Sequence, residues 1–149
     1  MMKLNKIIAV DFDSTLVLDE WPYAGANVPG AFEVVRELIR NGHRIILLTQ
    51  REHEPYGGNP DVLDTALQVL EMEGIKPYAV NEFPKDDEKF YHSRKIYADV
   101  YVDDHCAGIP RKDYINGDGD HSPYVDWYAL DKWFVQEGYY EKPILDRFI

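Results

Sequence analysis

Short apolar runs along this chain alternate with longer segments in which apolar residues recur every three or four positions. The first run, Ile7–Val10, is four residues long and stops abruptly at Asp11. Runs of this kind are typical of strands buried on both faces of a parallel sheet. Similar runs at 45–48, 77–81 and 98–104 predict three more strands.

The segments between the runs have helical spacing. Apolar residues on one face predict a helix that begins at Gly30 and is stopped by Asn41 and Gly42, and a second helix over 59–74. A third helix, rich in Tyr and Trp, is predicted over 123–138. The stretch Asp19–Pro29 is polar and aromatic, is interrupted by Pro and Gly, and is predicted to be a loop.

Strands alternating with helices predict an α/β chain with a mostly parallel sheet. Right-handed crossovers would then place helices on both faces of that sheet. At 149 residues the chain is expected to be one domain. Its motif-bearing core would span 5–110, and a C-terminal helical extension would span 111–149.

Polar side chains follow three of the predicted strands directly. In such folds, ligands bind in the crevice beyond the carboxyl ends of the strands. A carboxylate at a strand end can attack phosphorus and form an aspartyl-phosphate, and a second carboxylate can serve as general acid and base. Carboxylates with a substrate phosphate can also hold Mg²⁺. The residues at this edge are Asp11, Asp13, Thr49, Asp103 and Asp104.

The charge balance narrows the classes of partner. Acidic residues outnumber basic ones 27 to 16, a formal net charge of −11. This argues against a nucleic-acid binder, which needs Lys and Arg to displace counterions from phosphates. A small phosphorylated substrate remains compatible, since a bound metal reverses the local charge. The single cysteine, Cys106, excludes an internal disulfide, and with no secretory signal or membrane span in the sequence we expect a cytoplasmic protein.

The ordered motifs DFDST, ILLT and VDD resemble those of the haloacid dehalogenase (HAD) superfamily of aspartate-nucleophile phosphatases. The resemblance spans Ile7 to Asp104 and implies a Rossmann-like HAD fold. It implies that Asp11 is the nucleophile, Asp13 the acid/base and Thr49 a ligand of the phosphoryl group. Mg²⁺ would be held by Asp11, the backbone carbonyl of Asp13 and the pair Asp103 and Asp104, of which either could be the direct ligand.

Three further assignments complete the expected site. The family's lysine could be Lys85, Lys89 or Lys95, and we favour Lys95 because its distance from the last strand is short and fixed. Thr15 of the first motif is expected to bind substrate. Arg51, two residues beyond Thr49, is either a substrate contact or an ordinary surface arginine.

The sequence therefore predicts a Mg²⁺-dependent phosphomonoester hydrolase. The alternatives are a receiver-like phospho-aspartate signalling or phosphate-binding module, and a polynucleotide-end phosphatase, which the negative charge disfavours. The segments 16–30 and 81–95, where relatives carry a cap domain, are too short for an independent core, so no separate cap is expected. An exposed part of the aromatic C-terminal segment would support a homodimer. The identity of the substrate does not follow from the sequence.

Overall fold

The computed structural model describes residues 5–54, 61–84 and 93–146. In this part of the chain, three helices and eight strands are present, four of the strands forming the central sheet. In chain order the elements are β1 (Ile7–Val10), β2 (Val17–Glu20), β3 (Tyr23–Asn27), α1 (Ala31–Arg40), β4 (Arg44–Leu47), α2 (Val62–Met72), β5 (Ala79–Val80), β6 (Val100–Val102), β7 (Arg111–Lys112), β8 (Tyr124–Val125) and α3 (Trp127–Gln136).

The central sheet is parallel and has the strand order β5-β4-β1-β6. All four strands predicted from the apolar runs are in it. β1 lies between two neighbours, with Ile8 opposite Ile45 of β4 and Val100 of β6. Its four residues are all buried. Because the strands are parallel, the residues that follow β1, β4 and β6 meet at one edge.

Alternate residues of the strands belong to two separate apolar clusters, one on each face of the sheet. Ile8, Val10 and Leu47 belong to the larger cluster, which also takes the buried residues of all three described helices. Ala9 and Ile46 belong to the smaller cluster on the other face, together with residues from the segments that flank β5 and β6. The predicted α/β, Rossmann-like fold with a mostly parallel sheet is confirmed. Helices cover one face in the described ranges; part of the chain between β5 and β6 lies outside them.

The segment Asp19–Pro29, predicted to be a loop, is largely a hairpin. β2 and β3 pair antiparallel with a register shift between Val17 and Asp19. That prediction was wrong because both strands are short and mostly solvent-facing, so neither shows an apolar alternation. The hairpin is no cap domain, in agreement with the expectation for 16–30. The other expected cap position, 81–95, lies partly outside the described residues.

The C-terminal extension is packed against the first motif. α3 begins at Trp127, later than the predicted start, because Tyr124 and Val125 pair with β7. The side chain of Asp126 caps the helix by accepting hydrogen bonds from two backbone N–H groups. Trp127 is fully buried, and its indole N–H donates to the carbonyl of Thr15 at 2.6 Å. In the described ranges, no helix is both long and apolar enough to cross a membrane.

Candidate active site

A tight turn after β1 presents the two carboxylates of the first motif. The backbone N–H of Asp11 continues the sheet by donating to the carbonyl of Val102, 2.9 Å away. The carbonyl of Phe12 then accepts from the N–H groups of Thr15, Leu16 and Val17. Ser14 has a φ of 59°, in the left-handed region, and this lets the chain reverse there. The turn leaves both Asp11 and Asp13 facing the edge of the sheet.

Five residues predicted for the site line one crevice of about 400 Å³ at this edge. They are Asp11, Asp13, Thr49, Asp103 and Asp104. They come from three neighbouring strands and are separated by up to 93 positions in the sequence, so only the parallel order of the sheet brings them together. Among the described residues that line the crevice, none is Lys or Arg.

The acids in this crevice interact unfavourably with one another. Burial raises the pKa of Asp11 from 3.8 to about 8, and the charges of Asp103 and then Asp104 add to the shift, whereas the backbone N–H of Phe12 opposes it. Burial is also the main cause that raises the pKa of Asp104. Close carboxylates in a low-dielectric site resist simultaneous ionisation unless a cation lies between them.

Mg²⁺ is the ion that the motif resemblance implies, and the donor set fits it. Mg²⁺ prefers oxygen ligands, and one or two carboxylates with substrate phosphate are typical. Asp11 and Asp103 offer carboxylates here, with Asp104 beside them, and Asp13 offers its backbone carbonyl. Burial and the neighbouring acids, which raise the pKa of Asp11, are surroundings in which a bound cation would be favourable.

Thr15 lies beneath the surface of the crevice and hydrogen-bonds to Asp104. The expectation that it binds substrate was wrong. It is fully buried. Its hydroxyl donates to Oδ1 of Asp104 at 3.4 Å and accepts from the backbone N–H of Asp104 at 3.3 Å. Asp103 in turn accepts from the N–H of His105 at 2.8 Å. Thr15 therefore ties the loop after β1 to the loop after β6.

Thr49 follows β4, one residue beyond Leu48, and lines the crevice. Its backbone N–H donates to Oδ1 of Asn81 at 2.8 Å, and its hydroxyl accepts from the backbone N–H of Arg51 at 3.2 Å. Asn81 also donates to the carbonyl of Arg51, 3.0 Å away. Asn81 was missed in the sequence because a lone Asn after a strand is common; its left-handed φ of 54° shows its special position only in the structure.

Arg51 is neither a surface arginine nor a substrate contact, so both interpretations made from the sequence were wrong. The side chain is fully buried, so it is not a surface arginine. Its Nε and one Nη donate to the two carboxylate oxygens of Asp13 at 2.9 and 2.8 Å. The remaining N–H groups donate to the backbone carbonyls of Pro22, Tyr23 and Val62. With its donors engaged by the protein, Arg51 orients Asp13 and has none left for a substrate.

Lys95 lies beside the acids in a smaller neighbouring cavity. That cavity, about 260 Å³, is lined by Lys95 together with Asp11 and Asp103. The ammonium lies 5.4 Å from the ring centroid of Tyr101. The other two candidate lysines, Lys85 and Lys89, lie outside the described residues. Lys95 therefore shares a cavity with the predicted nucleophile, and its assignment as the family's lysine stays a prediction.

Two hairpin residues in the crevice were not predicted. Asp19 and Trp21 both line it, and Trp21 is 42% exposed. No local pattern indicates these two residues, because their place in the crevice depends on the hairpin between β2 and β3. The crevice is therefore lined by carboxylates and, on one side, by the indole of Trp21, which we call the aromatic wall.

Comparisons with known proteins give a family but no activity. No family model and no curated protein matches the sequence. A solved structure, described as that of a conserved protein coded by a locus from Bacteroides thetaiotaomicron, is 30% identical over 98% of this chain and 99% of that one, with a TM-score of 0.63. This chain belongs to the same family as that conserved protein.

Proposed function

We propose that the protein is a Mg²⁺-dependent phosphomonoester hydrolase of the HAD type that acts through an aspartyl-phosphate on Asp11. The observation that carries the proposal is the convergence of Asp11, Asp13, Thr49 and the pair Asp103–Asp104 in one crevice. These residues belong to three separate motifs, and their order in the chain is that of the family the sequence resembles.

In the first step a carboxylate oxygen of Asp11 attacks phosphorus, and the bond from phosphorus to the ester oxygen breaks. Asp13 gives its proton to the departing oxygen, so the leaving group departs as an alcohol. In this proposal the hydroxyl of Thr49 holds a phosphoryl oxygen, and the ammonium of Lys95 offsets negative charge at the phosphoryl group.

In the second step Asp13 takes a proton from water, which attacks phosphorus and releases Asp11 and inorganic phosphate. Arg51 fixes the carboxylate plane of Asp13 through two hydrogen bonds, so the same side chain faces the ester oxygen and the attacking water. When bound by Asp11, Asp103 and the Asp13 carbonyl, Mg²⁺ supplies the positive charge that lets a phosphate dianion enter an acidic crevice.

The test is a panel of phosphate monoesters assayed with Mg²⁺ and with EDTA, using wild type and Asp11→Asn. We expect phosphate release by wild type with Mg²⁺, and none in EDTA or by Asp11→Asn, whose amide is a poor nucleophile and a poor metal ligand. Undiminished release by Asp11→Asn would overturn the proposal. A phosphorylated protein that forms once and does not turn over would favour the receiver-like module instead.

Several expectations stay predictions within this proposal. A small phosphorylated substrate fits the crevice volume better than a polynucleotide end, and the net charge of −11 points the same way. A cytoplasmic location accords with the single cysteine. A homodimer would use the aromatic part of α3, where Trp133 is 37% exposed.

A further inference from the structure

The aromatic wall of the crevice has no role in the phosphoryl chemistry described above. Trp21 is at the tip of the hairpin, 42% exposed, and lines the same crevice as Asp11 and Asp13. A large indole surface exposed in an acidic crevice gains free energy when another apolar or planar group covers it. Because Trp21 and Asp11 line one crevice, a phosphate ester bound at Asp11 shares that crevice with the indole.

The position of Trp21 is fixed by the group that orients Asp13. The guanidinium carbon of Arg51 lies 5.0 Å from the centroid of the indole ring. Arg51 also binds the carbonyls of Pro22 and Tyr23, the two residues that follow Trp21. The backbone N–H of Trp21 donates to Oδ1 of Asp19 at 3.1 Å. One buried cation therefore holds the indole and the carboxylate of Asp13 in a fixed relation.

The carboxylates around Trp21 restrict which leaving groups can bind against its indole ring. Five carboxylates line the crevice, those of Asp11, Asp13, Asp19, Asp103 and Asp104, and its described lining residues include no Lys or Arg. A leaving group with its own negative charge would be repelled once the phosphate and Mg²⁺ are in place. Of the five acids that line the crevice, Asp19 is the nearest to Trp21 in the chain, and its carboxylate can accept a hydrogen bond from an N–H or O–H group.

We propose that Trp21 stacks on the leaving group, and that the substrates are phosphomonoesters whose leaving group carries a planar aromatic ring without negative charge. This inference rests on the proposed hydrolase function and adds the substrate class to it. Stacking between aromatic rings contributes about 0.5–1.5 kcal/mol beyond area burial. That corresponds to a preference of roughly 2- to 13-fold over a saturated ring.

The test compares benzyl phosphate with cyclohexylmethyl phosphate, since both are esters of primary alcohols and differ in whether the ring is aromatic. The measured quantity is the ratio of the two kcat/KM values with Mg²⁺. In wild type we expect benzyl phosphate to be preferred by roughly 2- to 13-fold. In Trp21→Leu, which keeps an apolar side chain without an aromatic ring, the ratio should fall to about one. Trp21→Phe should retain part of the preference. 4-Carboxybenzyl phosphate should be a poorer substrate than benzyl phosphate in wild type.

Trp133→Leu is the matched control, because it makes the same change at a tryptophan on α3 that does not line the crevice. Its ratio should equal that of wild type. A wild-type ratio of one, or a preference that survives in Trp21→Leu, would overturn the inference while hydrolysis of both esters still supports the hydrolase function. Hydrolysis of neither these esters nor any other monoester would overturn both. The ratio is independent of the amount of folded enzyme, so partial misfolding of a variant does not obscure it.

Discussion

Two partly or fully buried aspartates in this protein have opposite surroundings. Asp131, on α3, is fully buried and accepts from the hydroxyl of Tyr140 at 2.5 Å and from the backbone N–H groups of Ile144 and Leu145 at 3.1 and 2.9 Å. Asp11, after β1, is surrounded by other carboxylates and has a pKa of about 8. Donors of the protein compensate the Asp131 carboxylate, whereas at Asp11 burial and the neighbouring acids outweigh the single backbone N–H of Phe12.

The difference separates a carboxylate with a structural role from one that we propose to be functional. Asp131 fastens the C-terminal segment onto α3, and its donors leave nothing for a ligand to supply. Asp11 sits in an arrangement that is unfavourable for the protein alone and becomes favourable when a cation and a phosphate are bound. Unrelieved electrostatic cost at a strand end is therefore evidence for function.

The largest expected effect is on turnover when Asp13 is changed. Asp13→Asn removes the acid/base and should lower kcat by ~10²–10⁴-fold, the usual contribution of general acid–base catalysis. Phosphorylation of Asp11 should persist with an ester whose leaving group departs without a proton, such as 4-nitrophenyl phosphate, since the nucleophile is intact. The release of inorganic phosphate over time measures turnover, and the burst of 4-nitrophenol release at high enzyme concentration measures phosphorylation of Asp11. Together the two measurements separate the two steps. A kcat equal to that of wild type would contradict the assigned role.

The next effect is on folding and concerns Asp131. Asp131→Asn places an amide against the two backbone N–H groups that now donate to the carboxylate, and should lower the free energy of unfolding by about 3 kcal/mol. Urea unfolding measures this, and the activity of the folded fraction should stay at the wild-type level. Asp11→Asn is the comparison variant, and in EDTA it should be at least as stable as wild type. If the two variants are equally destabilised, the contrast between the two aspartates fails.

A smaller effect is the pH dependence of stability without metal. Because the pKa of Asp11 is about 8 in the folded protein and near 4 when unfolded, the folded state holds an extra proton between these values. The stability from this proton is fully present below pH 4 and is lost as the pH rises through 8.

In EDTA, the Tm of wild type should therefore fall relative to that of Asp11→Asn as the pH rises from 5 to 9. Mg²⁺ should close this gap, with its largest effect at the higher pH, because the ion competes with the proton. A wild-type Tm that runs parallel to that of Asp11→Asn over this range would show that Asp11 does not carry the shift. Thermal unfolding followed by circular dichroism supplies both curves.

The elements of the core could be predicted because their signals are local. The run before Asp11 is a strand whose four residues are all buried, and the helical pattern after Gly30 becomes α1 one residue later. The expected site residues Asp11, Thr49 and Asp103 come together because parallel strands share an edge. In each case a short stretch of sequence, together with the geometry of a parallel sheet, was sufficient.

The missed features depend on contacts distant in the sequence. The burial of Arg51 is explained by Asp13, 38 positions earlier, and by carbonyls of a hairpin whose strands carry no apolar alternation. Thr15 is buried because Asp104, 89 positions later, accepts its hydroxyl. In the sequence, Trp21 is only one of several aromatic residues, and its place in the crevice depends on the hairpin between β2 and β3. A single sequence contains no local pattern for such pairs.

The most direct test of the central claim, that Asp11 is a nucleophile, is to locate the phosphoryl group on the protein. Asp13→Asn is mixed with Mg²⁺ and 4-nitrophenyl phosphate, whose leaving group departs without a proton from Asp13, then quenched in acid within the burst, digested and analysed by mass spectrometry. The account predicts that the peptide containing Asp11 gains the mass of one phosphoryl group and that the double variant with Asp11→Asn gains none. A phosphoryl group on a different residue, or turnover by wild type with no phosphorylated peptide in either case, would contradict it.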